Sequence, residues 1–390
     1  MDGGVVAGRS DLIDGHSLGS VEARLRAVDW TFSERERALA LESIHPYPAK
    51  FIGEIPRAFL STLPIPSGTG VLDPFCGSGT TLIESQRAGL PSVGIDLNPI
   101  ACLISRVKTS PLSSGLLEAA GEVVKIASAQ RSLVIPDIPN LDHWFKPDVQ
   151  AAVAAIAESI SLGIFEKWQD ALRLALSSIL VRVSNQDSDT RYAAVEKTVS
   201  SRSVFEAFSA ASARLERALT ERKGPLTSAK VIQGDTLKVL ANQIDFPIGL
   251  VVTSPPYPNA YEYWLYHKYR MWWLGFDPIA VREQEIGARP HFFKKNPHTA
   301  DVFVNQMGGT FSLISKVLVP LGYVCFVVGR SRIHGELVDN GSIIEDVAAK
   351  FGLEKVVRLE RTINSKRKSF NLSHANIKTE SVLVFRKGLV

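Results

Sequence analysis

The sequence predicts an α/β protein: a doubly wound, mostly parallel sheet with an antiparallel closing strand and a helical insertion. Three observations carry that reading. Val71-Leu72-Asp73 is a short apolar run that enters a glycine loop and then helical spacing from Thr81 to Ala88, the strand–loop–helix order of a wound sheet. Val251-Val252-Thr253 is a second buried run, stopped at Pro255-Pro256 because proline cannot donate to a ladder and Pro256 forces Pro255 out of the helical region. Between them, residues 110–229 are alanine-rich, helical in period over 116–129, 149–162, 168–183 and 204–222, and show no strand signal.

The ends of the two strands carry the chemistry. Asp73-Pro74-Phe75-Cys76-Gly77-Ser78-Gly79-Thr80 places a carboxylate at a strand end and two glycines where the backbone must turn tightly and approach a ligand, with Thr80 opening the next helix. A carboxylate there repels a pyrophosphate, which points away from dinucleotides and nucleoside triphosphates. Ser254-Pro255-Pro256-Tyr257 offers a hydroxyl, carbonyls without competing local N–H groups, and an aromatic ring. Such a cluster accepts hydrogen bonds and supplies no nucleophile, which suits a substrate whose own nitrogen attacks. Taken alone, a proline pair closing a core strand is an ordinary turn.

Together the two motifs resemble the amino-methyltransferases that use S-adenosylmethionine, in which a D-P-F-C-G-S-G-T loop binds the cofactor and an S-P-P-Y or D-P-P-Y turn holds the target amine. The Thr-Ser-Pro-Pro-Tyr spelling is most similar to the DNA cytosine-N4 branch. The resemblance covers residues 45–105 and 230–387. It implies a Rossmann-like methyltransferase domain from 21–109 and 230–390, with 110–229 as a target-recognition or interface module. It also implies site-specific methylation of an exocyclic amine on a flipped-out base, double-stranded DNA as partner, and a cognate restriction endonuclease as a further one. The cofactor loop precedes the catalytic turn, the reverse of many cytosine-N4 enzymes, so cytosine N4 and adenine N6 both stay open. An RNA base amino-methyltransferase is the runner-up. A catalytically silent nucleic-acid-binding subunit is third, and the intact Asp73, Gly77, Gly79 and Ser254 argue against it.

Composition is compatible with this without demanding it. The chain has 390 residues, enough for a catalytic domain and a smaller module, and a net charge of +4, which permits nucleic-acid binding only if the cations are clustered. Three widely spaced cysteines fit neither a zinc site nor a disulfide framework and read as reduced thiols in a cytoplasmic protein, with no metal and no membrane segment expected. Residues 1–20, without periodicity, read as a mobile tail, with helical spacing following through Leu25, Val28 and Trp30.

The remaining candidates follow in chain order. His45–Ile52 is a proline-studded segment that serves either packing or, as the resemblance implies for Lys50 and Phe51, a lid on the cofactor. Asp73 suits the ammonium of the methionyl part. Asp96, beside Leu97 at the end of the next strand, suits ribose hydroxyls, while Asn98 is the better helix cap before Pro99. Asp235 closes a third strand and, by the resemblance, lies near the adenine amine. Beyond the turn, Tyr257 and Tyr261 are close enough to stack on a base. Gly275–Asn305 reads as irregular, with Arg289, Lys294 and Lys295 interleaved with Phe292 and Phe293 as phosphate contacts. The basic stretch Arg361–Asn371, including Lys366, Arg367 and Lys368, reads the same way.

Overall fold

The computed structural model describes residues 18–33, 40–48, 51–111, 113–130, 133–189, 191–222, 224, 226–258, 262–363 and 378–389. The tail before residue 18, together with Lys50, Tyr261, Lys366, Arg367 and Lys368, lies outside the described residues.

Helices α1 (Leu18–Arg26) and α2 (Glu54–Thr62) precede β1 (Gly70–Asp73), α3 (Thr80–Arg87), β2 (Ser92–Asp96) and α4 (Pro99–Thr109). The insertion comprises α5 (Leu116–Ala129), α6 (Leu141–Trp144), α7 (Pro147–Ile160), α8 (Gln169–Val183), a hairpin of β3 (Gln186–Ser188) and β4 (Arg191–Ala194), and α9 (Ser201–Thr220). The sheet resumes with β5 (Ala229–Gln233) and β6 (Ile248–Thr253), followed by α10 (Tyr263–Trp273), α11 (Pro278–Gln284), α12 (Ala300–Val317) and β7 (Leu318–Gly329). A second hairpin, β8 (Ser331–Ile333) and β9 (Glu336–Val338), leads to α13 (Asn340–Lys350), β10 (Leu353–Thr362) and β11 (Thr379–Lys387).

Seven strands form one sheet in the order β10-β11-β7-β6-β1-β2-β5. Pairing is parallel from β7 through β6, β1 and β2 to β5, and β11 runs antiparallel to both β7 and β10. This is the doubly wound sheet with the antiparallel closing strand expected from sequence. Alternation builds its two faces: Leu72, Val251, Val324 and Phe326 pack with α12 and α13, while Val71, Leu250, Val252 and Cys325 pack with α1 and α2.

The insertion shares its core with helices that flank the sheet. One apolar cluster joins Leu103 and Ile104 of α4, Val153 and Ile156 of α7, Leu176 and Leu180 of α8, Phe208 of α9, and Met271 and Trp273 of α10. Its entrance and exit are strapped together: Gln86 Nε2 donates to Thr109 O at 2.9 Å and Thr227 O at 2.8 Å, and Arg222 donates to Lys108 O and Ser110 O. Two expectations need correction. The insertion does contain strands, because the β3–β4 hairpin is held by Tyr192 against Tyr269 and by Asp189 on the buried Arg270, contacts that no local period announces. Gly275–Asn305 is only partly irregular: Asp277 caps α11 through Ile279 N and Ala280 N, with Pro278 at its first turn.

Candidate active site

β1 and β6 are neighbours, so their carboxyl ends bring Asp73 and Ser254 to one place. Thr253 Oγ1, on the residue before the turn, donates to Asp73 Oδ1 at 2.6 Å, and Phe75 N donates to the same oxygen at 3.1 Å. Asp73 is buried, and burial pushes its pKa up to about 6 against those hydrogen bonds.

The glycine loop is fastened from several sides. Gly77 and Gly79 hold φ of +49° and +79°, and a Cβ on Gly79 would meet Ser105 Oγ at 2.8 Å. Ser105 Oγ donates to Gly77 O at 2.8 Å, the buried Lys108 Nζ to Ser78 O at 3.1 Å, and Thr236 Oγ1 to Pro74 O at 2.5 Å. Asp96 completes the clamp: its Oδ2 accepts from Gly77 N and its Oδ1 from Asn98 N, both at 2.8 Å. Burial raises its pKa to about 6, with Asp73 adding to the shift. Asn98 Oδ1 caps α4 at Ile100 N, which leaves Asp96 to face the loop. Phe75 and Leu97 are partly buried against the apolar clusters, and Thr80 opens α3. Phe51 packs toward the α1–α2 face. Asp235 accepts from Leu237 N at 3.0 Å and pairs with Lys238 at 3.2 Å.

In the target turn Pro255 is buried and Ser254 and Pro256 are half-buried. Tyr257 is only 9 % exposed, and its hydroxyl donates to Glu380 Oε1 at 3.4 Å. Glu380 in turn pairs with Arg361 at 2.8 Å, and Arg361 Nε donates to Trp30 O. Arg361, expected among the phosphate contacts, is therefore turned into the protein. Arg289, Lys294 and Lys295 are exposed, with the Arg289 guanidinium 5.3 Å from the Phe293 ring centre.

Two residues that sequence reasoning did not single out join the halves of the site. Tyr47 lies 3.4 Å from where a Gly77 Cβ would stand and stacks on Tyr263 and His267 of α10 at 5.9 and 5.2 Å. Its flanking prolines were the available signal. Glu285 is buried and caps α10, accepting from Tyr263 N at 2.9 Å and Trp264 N at 2.8 Å. Burial, then Asp96 and Glu262, push it to about 8 against those two hydrogen bonds. Nothing local marked it, since it caps a helix that precedes it in the chain. Among the described residues no group of three or more His, Cys, Asp or Glu is placed to hold a metal, and no single helix is long and apolar enough to cross a membrane. All three cysteines are free and buried.

Residues 27–106, which include the glycine loop and Asp96, match the family model described as DNA methylase. Over that stretch the chain is similar to the DNA methylases that the family model describes. It is 27 % identical over 240 residues to the type II methyltransferase M.MvaI of Kocuria varians, across 55 % of this chain and 53 % of that one. It is 24 % identical over 292 residues to the type II methyltransferase M.BsoBI of Geobacillus stearothermophilus, across 62 % and 55 %. A shorter match, 42 % over 86 residues, is to the type II methyltransferase M.MjaII of Methanocaldococcus jannaschii, across 21 % of this chain and 16 % of that one. The chain spans about half the length of M.MvaI and M.BsoBI. The methylase resemblance read from the two motifs is thus met independently. The donor set fits a cationic cofactor: the buried Asp73 and the half-buried Asp96 both lie at the glycine loop, and burial raises both carboxyls to about 6.

Proposed function

We propose that the protein methylates an exocyclic base amine in double-stranded DNA, with cytosine N4 as the preferred atom and adenine N6 as the alternative. The observation that carries the reading is the 2.6 Å bond from Thr253 to Asp73, which ties the glycine loop to the Ser-Pro-Pro-Tyr turn. When bound, S-adenosylmethionine supplies an electrophilic methyl group on a positively charged sulfur.

The chain's own residues do the rest. Asp73, ionised, faces the ammonium of the cofactor, and Asp96 offers the ribose the lone pairs that Gly77 and Asn98 leave unused. The amine lone pair of a nucleobase is delocalised into the ring and attacks poorly while planar. Ser254 Oγ and the Pro255 carbonyl accept from its hydrogens, which favours the tetrahedral nitrogen and holds it in line. Tyr257 is the ring assigned to an extruded base, since a paired amine is inaccessible in the duplex. Cys76 lies in the glycine loop with its thiol toward Ser105 of α4, not in the Ser-Pro-Pro-Tyr turn, so a cysteine-dependent carbon-5 route is disfavoured.

Incubation of the purified chain with methyl-labelled S-adenosylmethionine and duplex DNA or transfer RNA, digestion to nucleosides and mass analysis tests the reading. N4-methylcytosine in DNA is the expected product. N6-methyladenine would select the alternative, and label confined to RNA would overturn the DNA assignment.

A further inference from the structure

We propose that the β8–β9 hairpin and residues 289–298 form one contact rim for duplex DNA beside the target turn. The inference rests on the methylase reading and deepens it by naming the surface that meets the duplex. β6 and β7 are parallel neighbours, so the chain leaves Thr253 and Gly329 at the same edge of the sheet. The turn follows the first exit and the hairpin the second.

The hairpin is built to project. His334 and Gly335 hold φ of +49° and +90°, the two-residue turn that a tight hairpin requires, with Ile333 opposite Glu336. Its inner side is anchored: Ile333 is buried, and Asn340 Nδ2 donates to Gly329 O at 2.8 Å and Ser331 Oγ at 2.7 Å. Its outer side presents Arg332 and Leu337, the latter 60 % exposed. A two-stranded ribbon of this size fits a major groove about 12 Å wide.

The second element is joined to the first and to the turn. His334 Nε2 meets His298 O at 3.1 Å, and the His298 ring stacks on His291 at 4.8 Å. At the other end the backbone of Gly287 runs so close to the turn that a Cβ there would stand 2.6 Å from Tyr257 O. Along the rim, Arg289, Lys294, Lys295 and Arg332 are exposed, with Phe293 66 % exposed among them; Glu336 lies on the hairpin, Glu262 near Arg289 and Glu283 near Lys294, while Arg330 beside the hairpin pairs with Glu360 at 3.5 Å. Cations interleaved with exposed apolar groups suit phosphates flanking a disrupted base step, and the rim adjoins the turn that would receive the extruded base.

The test uses the full chain, labelled random-sequence duplex DNA and the matching RNA duplex, with anisotropy titrations at several salt concentrations. K294E/K295E is expected to weaken DNA affinity by about tenfold or more near 0.1 M salt and to lower the salt slope by about two; R332E is expected to weaken it several-fold, with a slope change of about one. S-adenosylmethionine affinity, read by calorimetry, stays within about twofold in both, which shows that the fold is intact. Unchanged DNA affinity and slope in both variants, with wild type binding duplex, would sink the rim and leave the methylase reading standing. Wild type that takes S-adenosylmethionine but binds only the RNA duplex would overturn both.

Discussion

The glycine loop and the target turn sit side by side yet are held in different ways. The loop is fixed by hydrogen bonds reaching its backbone from Ser105, Lys108, Thr236 and Asp96, on three separate parts of the chain. The turn has two prolines, a packed tyrosine with a long hydroxyl contact, and the close approach of Gly287. Among the described residues, one half of the site is held mainly by polar fastening and the other mainly by packing and shape. Substitutions in the first should act on cofactor affinity, and those in the second on methyl transfer.

The largest effect is expected for D73A. It removes the carboxylate proposed to face the cofactor and takes away the acceptor of Thr253 Oγ1 and Phe75 N in a buried place, so affinity for S-adenosylmethionine should fall by about a hundredfold by calorimetry. Stability should drop by about 1–3 kcal/mol in a denaturant melt. G287A sharpens the contrast: its φ of +75° and the 2.6 Å approach to Tyr257 O force the turn to move. Single-turnover methylation should slow by about tenfold or more while cofactor affinity holds, because a small misplacement at a reacting centre is costly. Equal loss of both would erase the distinction.

A smaller effect is expected from pH. Asp73 and Asp96 stand at about 6 and Glu285 at about 8, above the ordinary carboxylate range. A carboxyl whose folded pKa is raised binds more protons folded than unfolded, so its contribution favours the fold at low pH and is lost as pH rises through the folded value. The melting temperature without cofactor should therefore carry a component that declines from about pH 4 to about pH 8. A cation in the site favours the ionised forms. The stabilisation by S-adenosylmethionine should grow with pH over that range, and more than that by its demethylated product, whose sulfur is neutral. A pH-independent difference between the two ligands would break the electrostatic half of the comparison. Smallest is Y192F, which removes the 2.9 Å bond to Tyr269 beneath α10 and should lower stability by about 1 kcal/mol with cofactor affinity unmoved.

The same contrast explains what was legible in the sequence. The sheet was readable because β1, β2, β6, β7 and β11 are apolar runs ending at a glycine, proline or charge, and α5 follows its alanine-rich period from Leu116 to Ala129. Asp73, Gly77, Gly79 and Asp96 were readable because strand ends and positive φ demand particular residue types. Glu285 and Tyr47 were not singled out, because each works through a partner far along the chain: a helix start it follows and a loop it precedes. The β3–β4 and β8–β9 hairpins escaped for the same reason, being three- and four-residue strands specified by tertiary contacts.

The strap made by Gln86 and Arg222 has an evolutionary corollary. It holds the two points where the helical cassette leaves and rejoins the sheet at a fixed separation, so any replacement with matching ends could be accepted there without rebuilding the strands. Met271 and Trp273 would have to travel with it, since they belong to the donor's interior as much as to the recipient's. Transplants between relatives should therefore succeed as pairs, cassette plus α10, where either piece alone fails.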